Sequence, residues 1–159
     1  MLNIRFITLG TLKEQYLRDA AAEYEKRLGA FCRFELIGLK EERLGDAPSE
    51  NEIKNALERE SAKILEQIPQ RAYCIAMCVE GKQLSSEELA QRLALVANET
   101  SDICFIIGSS FGLSDSVKQR ADMRLSISKL TFPHQLMRVI LLEAVYRAFN
   151  IQRGTKYHK

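Results

Sequence analysis

The feature that most constrains this chain is a fivefold alternation of short apolar runs with longer segments of helical periodicity. The apolar runs are typical of buried strands, and they cover residues 2–9, 31–39, 73–79, 103–107 and 123–128. The segments between and after them, at 14–28, 49–68, 85–97, 114–121 and 133–151, repeat apolar residues at the spacing of amphipathic helices. This order predicts an α/β fold: a mainly parallel sheet with helices on both faces. At 159 residues, with no repeats or low-complexity segments, the chain is expected to form one domain, 1–159.

Two of the helices have clear start signals. Ser49 is followed three residues later by Glu52, and Ser85 by Glu88. In such a capping box the serine oxygen accepts from the backbone three residues on, while the glutamate reaches back to the serine N–H. Glu80, Gly81 and Lys82 are predicted to end the third strand.

Composition excludes several classes of protein. The content of 46% hydrophobic and 28% charged residues is that of a globular protein. The first seven residues are too short and too polar for a signal peptide, and no apolar run approaches the roughly 18 residues of a membrane span. A cytoplasmic protein without a membrane segment is expected. The four cysteines lie in or beside apolar runs, which favours structural thiols over metal ligands, so no metal is expected.

Charge is distributed unevenly. Residues 1–99 carry 14 Lys and Arg against 17 Asp and Glu, whereas residues 100–159 carry nine against four. A basic C-terminal third is compatible with a polyanionic partner, and equally with an ordinary solvated surface.

The fourth apolar run stops at Gly108, and Gly112 opens the next helical segment. The loop between them lacks the Gly-Lys-Ser/Thr of a phosphate-binding loop and the three glycines of the dinucleotide fingerprint. Ligands of open parallel sheets bind beyond the carboxyl ends of the strands. The candidate ligand-binding segments are therefore residues 77–82, 108–112 and 128–132. Two glycines alone are a weak signal of a ligand site.

Motifs in the last 50 residues are more specific. Ile107–Leu113 (IGSSFGL) is followed by Leu125–His134 (LSISKLTFPH), Arg138-Val139, Glu143–Ala148 (EAVYRA) and a terminal Tyr157-His158-Lys159. In this order, and over the whole length, the chain resembles the ribosomal RNA large subunit methyltransferase H family of SPOUT methyltransferases. The family usually has a second glycine where this chain has Ser109, which requires a backbone there without positive φ.

The resemblance implies a deep trefoil knot in the C-terminal part of the sheet, a feature that no pattern argument would propose. It also implies S-adenosylmethionine as cofactor and methylation at N3 of a pseudouridine in the 23S rRNA of the assembled ribosome. The cofactor would contact Met77, Gly108, Ile127, Ser128, Lys129, Leu130, Thr131 and Phe132. Thr131 could in addition cap the last helix, and His134 could be structural or catalytic.

The final helix is apolar nearly all round. Of the 16 residues from Leu136 to Ile151, 12 are apolar. Burial inside the domain is one explanation, and a homodimer interface, as the resemblance implies, is the preferred one. Arg138 would then need a partner, either a structural ion pair or an RNA phosphate.

The basic tail would ordinarily be a frayed end. The resemblance implies instead that Tyr157, His158 and Lys159 close over the target base. The proton on pseudouridine N3 must leave, so His158 is a candidate base, with Tyr157 or water as alternatives. Lys156 and Lys159 are expected to contact phosphate.

Two other functions stay open at this point. A non-catalytic RNA- or ribosome-binding module with a methyltransferase-like fold would bind RNA but not cofactor. A flavodoxin-like nucleotide binder would need phosphate-binding groups in the first loop, and residues 10–13 lack the expected cluster of them.

Overall fold

The computed structural model describes residues 1–159. Five strands alternate with five helices: β1 (Asn3–Leu9), α1 (Gln15–Leu28), β2 (Arg33–Leu39), α2 (Glu50–Glu66), β3 (Tyr73–Gln83), α3 (Ser86–Ala97), β4 (Asp102–Ile107), α4 (Asp115–Arg120), β5 (Met123–Ser126) and α5 (His134–Arg153). The strands form one sheet in the order β2-β1-β4-β3-β5, and every pairing is parallel. The predicted alternation and the parallel sheet are confirmed.

Successive side chains of each central strand point to opposite faces of the sheet, and because both faces are covered, the buried stretches of these strands are mostly apolar. One layer of core contains Ile4 and Phe6 of β1 and packs against α1, α3 and α5. The other contains Ile7 and Leu9 of the same strand and packs against α2 and α4. Helices therefore cover both faces, as predicted.

Both predicted capping boxes are present. Ser49 Oγ accepts from the Glu52 N–H at 3.1 Å, and Glu52 Oε1 accepts from the Ser49 N–H at 3.3 Å. The same reciprocal pair joins Ser85 and Glu88 at 3.1 and 2.8 Å. Local sequence thus determines where α2 and α3 begin.

The predicted end of β3 is wrong. Residues 80–82 belong to the strand, which continues to Gln83. Met77 and Lys82, five residues apart, are both register partners of Leu125 in β5. A Cβ on Gly81 would lie 2.7 Å from the Leu125 carbonyl carbon, so glycine is needed there for close approach of two backbones rather than for a turn.

β5 is shorter than predicted and ends at Ser126. The Ser126 hydroxyl donates to the Ser128 carbonyl at 3.0 Å, and the Leu130 N–H donates to Ser128 Oγ at 3.0 Å. These side-chain bonds offer the backbone an alternative to the sheet and turn it toward α5.

None of the helices is both long enough and apolar enough to span a membrane. No three His, Cys, Asp or Glu side chains are grouped as metal ligands would be. The cysteines are all free thiols, and burial raises the pKa of Cys74 to about 12. The thiols therefore remain protonated and act as small apolar side chains.

Candidate active site

A cavity of about 540 Å³ lies at the carboxyl edge of the sheet, beyond the ends of β4 and β5 and beside residues 77–80 of β3. Small-molecule sites typically measure about 300–1,000 Å³. Two loops and part of β3 form its walls, and half of its 22 lining residues are hydrophobic. The position matches the sheet edge that the sequence indicated. Of the residues predicted to bind the cofactor, all but one line it: Met77, Gly108, Ile127, Ser128, Leu130, Thr131 and Phe132.

The loop after β4 forms the first wall. Ser109 and Gly112 close a tight turn in which the Gly112 N–H donates to the Ser109 carbonyl at 2.9 Å; we call residues 109–112 the pocket turn. A Cβ on Gly108 would lie 2.8 Å from the Gly112 carbonyl carbon. Gly112 has φ +88°, in the left-handed region. Gly108 is thus needed because a side chain there would clash with the turn, and Gly112 because its positive φ disfavours other residues.

Ser109 lines the cavity without strain, because no residue other than glycine has positive φ. The sequence requires a backbone without positive φ at Ser109, and the structure has such a backbone there.

The loop after β5 forms a second wall and leads into α5. The bonds from Ser126 to Ser128 and from Leu130 to Ser128 brace it internally. Lys129 is the exception among the predicted cofactor residues: its side chain is exposed and does not line the cavity. The expected cap by Thr131 is wrong, since the N-cap of α5 is Pro133 and no side chain caps the helix.

Besides the Cys78 thiol, whose pKa is raised by burial, three ionisable side chains line the cavity. Lys118 donates to Glu80 at 2.6 Å; this bond is the main reason that the pKa of Glu80 is lowered and that of Lys118 raised. Burial lowers the pKa of His134, against a smaller opposing effect of the Glu41 charge. His134 is therefore neutral at physiological pH, and the wall carries no unpaired cation.

Arg138 lies beside this site but is engaged inside the chain. Its side chain is only 4% exposed, and Nη2 donates to the carbonyls of Leu9 and Gly10 at the end of β1, the second at 3.0 Å. Burial lowers the pKa of Arg138, against a smaller opposing effect of the charge of Glu41. Arg138 thus finds its partner in the backbone carbonyls of Leu9 and Gly10 and forms no ion pair, while the charge of Glu41 acts on it without direct contact.

The tail packs against α5 and α3 and does not line the cavity. The Tyr157 hydroxyl donates to Glu143 Oε1 at 3.0 Å, and burial together with this bond raises the pKa of Tyr157 to about 12. His158 lies between Arg147 and Glu87, with Nδ1 3.2 Å from Arg147 Nη1 and Nε2 2.7 Å from Glu87 Oε1. Since arginine can only donate, Nδ1 accepts and Nε2 carries the proton. Lys156 and Lys159 are exposed.

The apolar surface of α5 is divided between the core and the outside. Leu142 and Val145 are 3% and 0% exposed and pack in the same core layer as α1 and α3. Leu136 is 36% exposed, and Ile140 is half-buried. Burial inside the domain therefore explains one side of the helix and leaves the other uncovered.

Several lining residues were not predicted to bind the cofactor. Phe111 and Leu113 come from the pocket turn and its end, Glu80 from β3, and Met137 from the first turn of α5. The only indication of a binding role for them in the sequence is their position. They follow a predicted strand or begin a predicted helix at the carboxyl edge of the sheet.

Comparison with known proteins agrees with this geometry. The family described as "Predicted SPOUT methyltransferase" matches residues 2–158. Proteins named ribosomal RNA large subunit methyltransferase H from Streptococcus thermophilus and Bacillus pumilus are 50% and 48% identical, over 99% of this chain and 100% of each relative.

Two solved structures share the fold. A probable methylase family protein of Haemophilus influenzae has a TM-score of 0.56 at 15% identity, covering 98% of this chain and 70% of the other. A tRNA methyltransferase of Aquifex aeolicus has a TM-score of 0.54 at 15% identity, covering 91% of this chain and 69% of the other.

A full-length match at about half identity, together with a cavity at the expected segments, shows common descent and not only a similar fold. The chain is an enzyme, and it belongs to the ribosomal RNA large subunit methyltransferase H family of the SPOUT methyltransferases.

Proposed function

We propose that the protein transfers a methyl group from S-adenosylmethionine to N3 of a pseudouridine in the 23S rRNA of the assembled ribosome, in the cytoplasm. The observation that carries the proposal is the full-length similarity to enzymes named for the large-subunit rRNA. The cavity supports it, since seven of the eight residues that the resemblance assigns to the cofactor line one pocket.

The pocket suits a nucleoside-like cofactor. The backbone of Gly108 lines the cavity, and its missing side chain lets the pocket turn pack closely against it, while Met77, Ile127 and Phe132 offer apolar surface. The cofactor supplies an electrophilic methyl group on a positively charged sulfur. The pairing of Lys118 with Glu80 and the neutral state of His134 keep free positive charge away from that group.

The protein must also remove the proton from N3 of the target base. His158 suits this task chemically, because Nδ1 of its neutral ring is an acceptor. Tyr157 suits it less in the observed arrangement, because a pKa of about 12 holds its proton in place. Since the tail does not line the cavity of its own chain, we propose that it reaches an active site by leaving Glu143, Arg147 and Glu87, or across a homodimer.

The homodimer is proposed to form through the uncovered side of α5, around Leu136 and Ile140. Lys156 and Lys159 are proposed to contact RNA phosphate, since both are exposed and neither forms an ion pair. For Arg138 an RNA contact would require it to leave the carbonyls of Leu9 and Gly10. We propose instead that it stabilises the end of β1 beside the pocket.

A deep trefoil knot is proposed for the C-terminal part of the sheet. Leu125 is paired with both Met77 and Lys82, and Gly81 approaches the backbone of β5 closely. These contacts fit a chain in which residues 77–82 wrap around β5. An experimental chain trace that straightens without a knot when extended from both ends would contradict this proposal.

The function is tested by incubating the purified protein with radiolabelled S-adenosylmethionine and ribosomes from a strain that lacks the modification. We expect label in 23S rRNA at one pseudouridine, and much less with free 23S rRNA or with ribosomes carrying uridine at that position. Binding of ribosomes without any methyl transfer would favour the non-catalytic RNA-binding module.

A further inference from the structure

Glu60 is a buried carboxylate that none of the roles above uses. It lies on α2, on the opposite face of the sheet from α5, and is 3% exposed. Ala56 and Ile64, one turn before and one turn after it, are buried as well, at 2% and 1% exposure. Glu60 therefore interrupts an apolar stripe, where an aliphatic side chain would bury more favourably than a carboxylate.

Two segments at the carboxyl edge of the sheet hydrogen-bond to this carboxylate. Oε2 accepts from the Glu42 N–H at 3.0 Å, in the loop between β2 and α2. Oε1 accepts from Ser109 Oγ at 3.4 Å, in the pocket turn. Glu42 is itself held to α2, since its carboxylate lies 3.0 Å from Lys63 Nζ and 3.3 Å from Arg59 Nε.

The next residue of α2 holds the other end of the same loop. Ser61 Oγ hydrogen-bonds to Ser116 Oγ at 2.8 Å and also to Ser114 Oγ. Ser114 is the N-cap of α4, where it accepts from the Val117 N–H at 3.4 Å. Two consecutive residues of α2 thus contact the segment 109–116 at both of its ends.

We propose that Glu60 is a positioning residue for the pocket turn, acting through the Ser109 hydroxyl. The bond from Ser109 orients the start of the pocket turn, and the bonds made by Ser61 hold the first residues of α4, which follow the turn. The wall of the cavity is then held in the shape that receives the cofactor before the cofactor arrives. The inference rests on the proposed function, because it takes the cavity as the site for S-adenosylmethionine.

A double-mutant cycle between Glu60 and Ser109 tests the inference. Glu60→Gln keeps the shape but replaces one acceptor oxygen by a donor, and Ser109→Ala removes only the hydroxyl. Each change should weaken binding of S-adenosylhomocysteine by about fivefold to tenfold, because a hydrogen bond to a buried charge is lost. The double variant should bind no more weakly than the Glu60→Gln protein, since the two groups act through one bond. Glu58→Gln, an exposed change on the same helix, is the matched control.

Kinetics separate positioning from a general loss of structure. We expect the KM for S-adenosylmethionine to rise in both single variants, with kcat on ribosomes within about twofold of wild type. Unchanged affinity in either single variant, or multiplicative effects in the double variant, would overturn the inference. If Glu60→Gln does not fold, Ser109→Ala alone decides by the same affinity and KM criteria. A wild-type protein that binds no S-adenosylhomocysteine would instead refute the proposed function.

Discussion

Replacing Gly108 by alanine tests whether the turn after β4 forms the cofactor pocket. The added Cβ would lie 2.8 Å from the Gly112 carbonyl carbon and 2.9 Å from Leu113 Cδ2. Carbon atoms in contact normally lie about 3.5–4.0 Å apart, so the pocket turn must move by roughly 0.7 Å or more. Relieving overpacking of this kind costs about 1–3 kcal/mol.

Part of that cost appears when the cofactor binds, because the free turn can shift but the bound turn must return to its original shape. We therefore expect the affinity for S-adenosylhomocysteine to fall at least tenfold, equivalent to about 1.4 kcal/mol. Isothermal titration calorimetry measures the affinity, and a thermal melt of each variant shows whether the fold survives.

Two other glycines provide matched controls for the same substitution. A Cβ on Gly45 would meet no atom within 4 Å, and its φ is ordinary, so Gly45→Ala should bind like wild type. Gly112 also has free space around it, but its φ of +88° disfavours alanine by about 1–2 kcal/mol. Gly112→Ala should therefore destabilise the turn by conformation alone. Wild-type affinity in the Gly108→Ala protein would refute the reasoning and move the pocket elsewhere.

Three further predictions concern the tail, α5 and Arg138. Deleting residues 157–159 removes no residue of the core and should preserve S-adenosylhomocysteine binding while abolishing methylation of ribosomes. His158→Ala alone should lower the methylation rate by roughly 10²–10⁴ if His158 is the base. Full activity of the truncated protein would show that the tail is a frayed end. Leu136→Asp should convert a dimer to monomers in sedimentation analysis with an unchanged melting temperature. Leu142→Asp should instead unfold the chain, because Leu142 is only 3% exposed. A wild-type protein that is monomeric at micromolar concentration would contradict the proposed dimer. Arg138→Met leaves the carbonyls of Leu9 and Gly10 without a donor and should lower the free energy of unfolding by about 2 kcal/mol in urea titration; an equally stable variant would mean that water replaces the guanidinium.

Local patterns were sufficient for most of the fold. Capping boxes at Ser49 and Ser85 depend on residues three apart, and apolar periodicity depends on neighbours within one or two turns. A strand buried on both faces is apolar at most positions, so β1 and β4 could be recognised without knowing their neighbours. Strand order has no such local signal: β1 pairs with β4 across about 100 residues of chain, and no pattern within either strand encodes that pairing.

Several features that sequence reasoning missed depend on distant partners. Arg138 donates to Leu9, 129 positions away, and His158 contacts Glu87, 71 positions away. The extension of β3 past Gly81 has the same cause, since Lys82 and Gln83 gain partners only when β5 lies beside them. Before that contact is known, Glu80-Gly81-Lys82 has the composition of a turn.

Ser109 links the predicted and the unpredicted parts of the site. A family pattern with glycine at this position raises the concern that a side chain would strain the loop or fill the pocket. The backbone does not have positive φ at Ser109, so a serine there causes no strain. Its hydroxyl donates to Glu60 of α2 at 3.4 Å, on the face of the sheet opposite α5. A glycine could not form that bond. If Ser109→Gly loosens the pocket turn and weakens S-adenosylhomocysteine binding, the serine is a working part of this site; if the variant binds as well as wild type, the turn is held by Gly112 and by Ser61 alone.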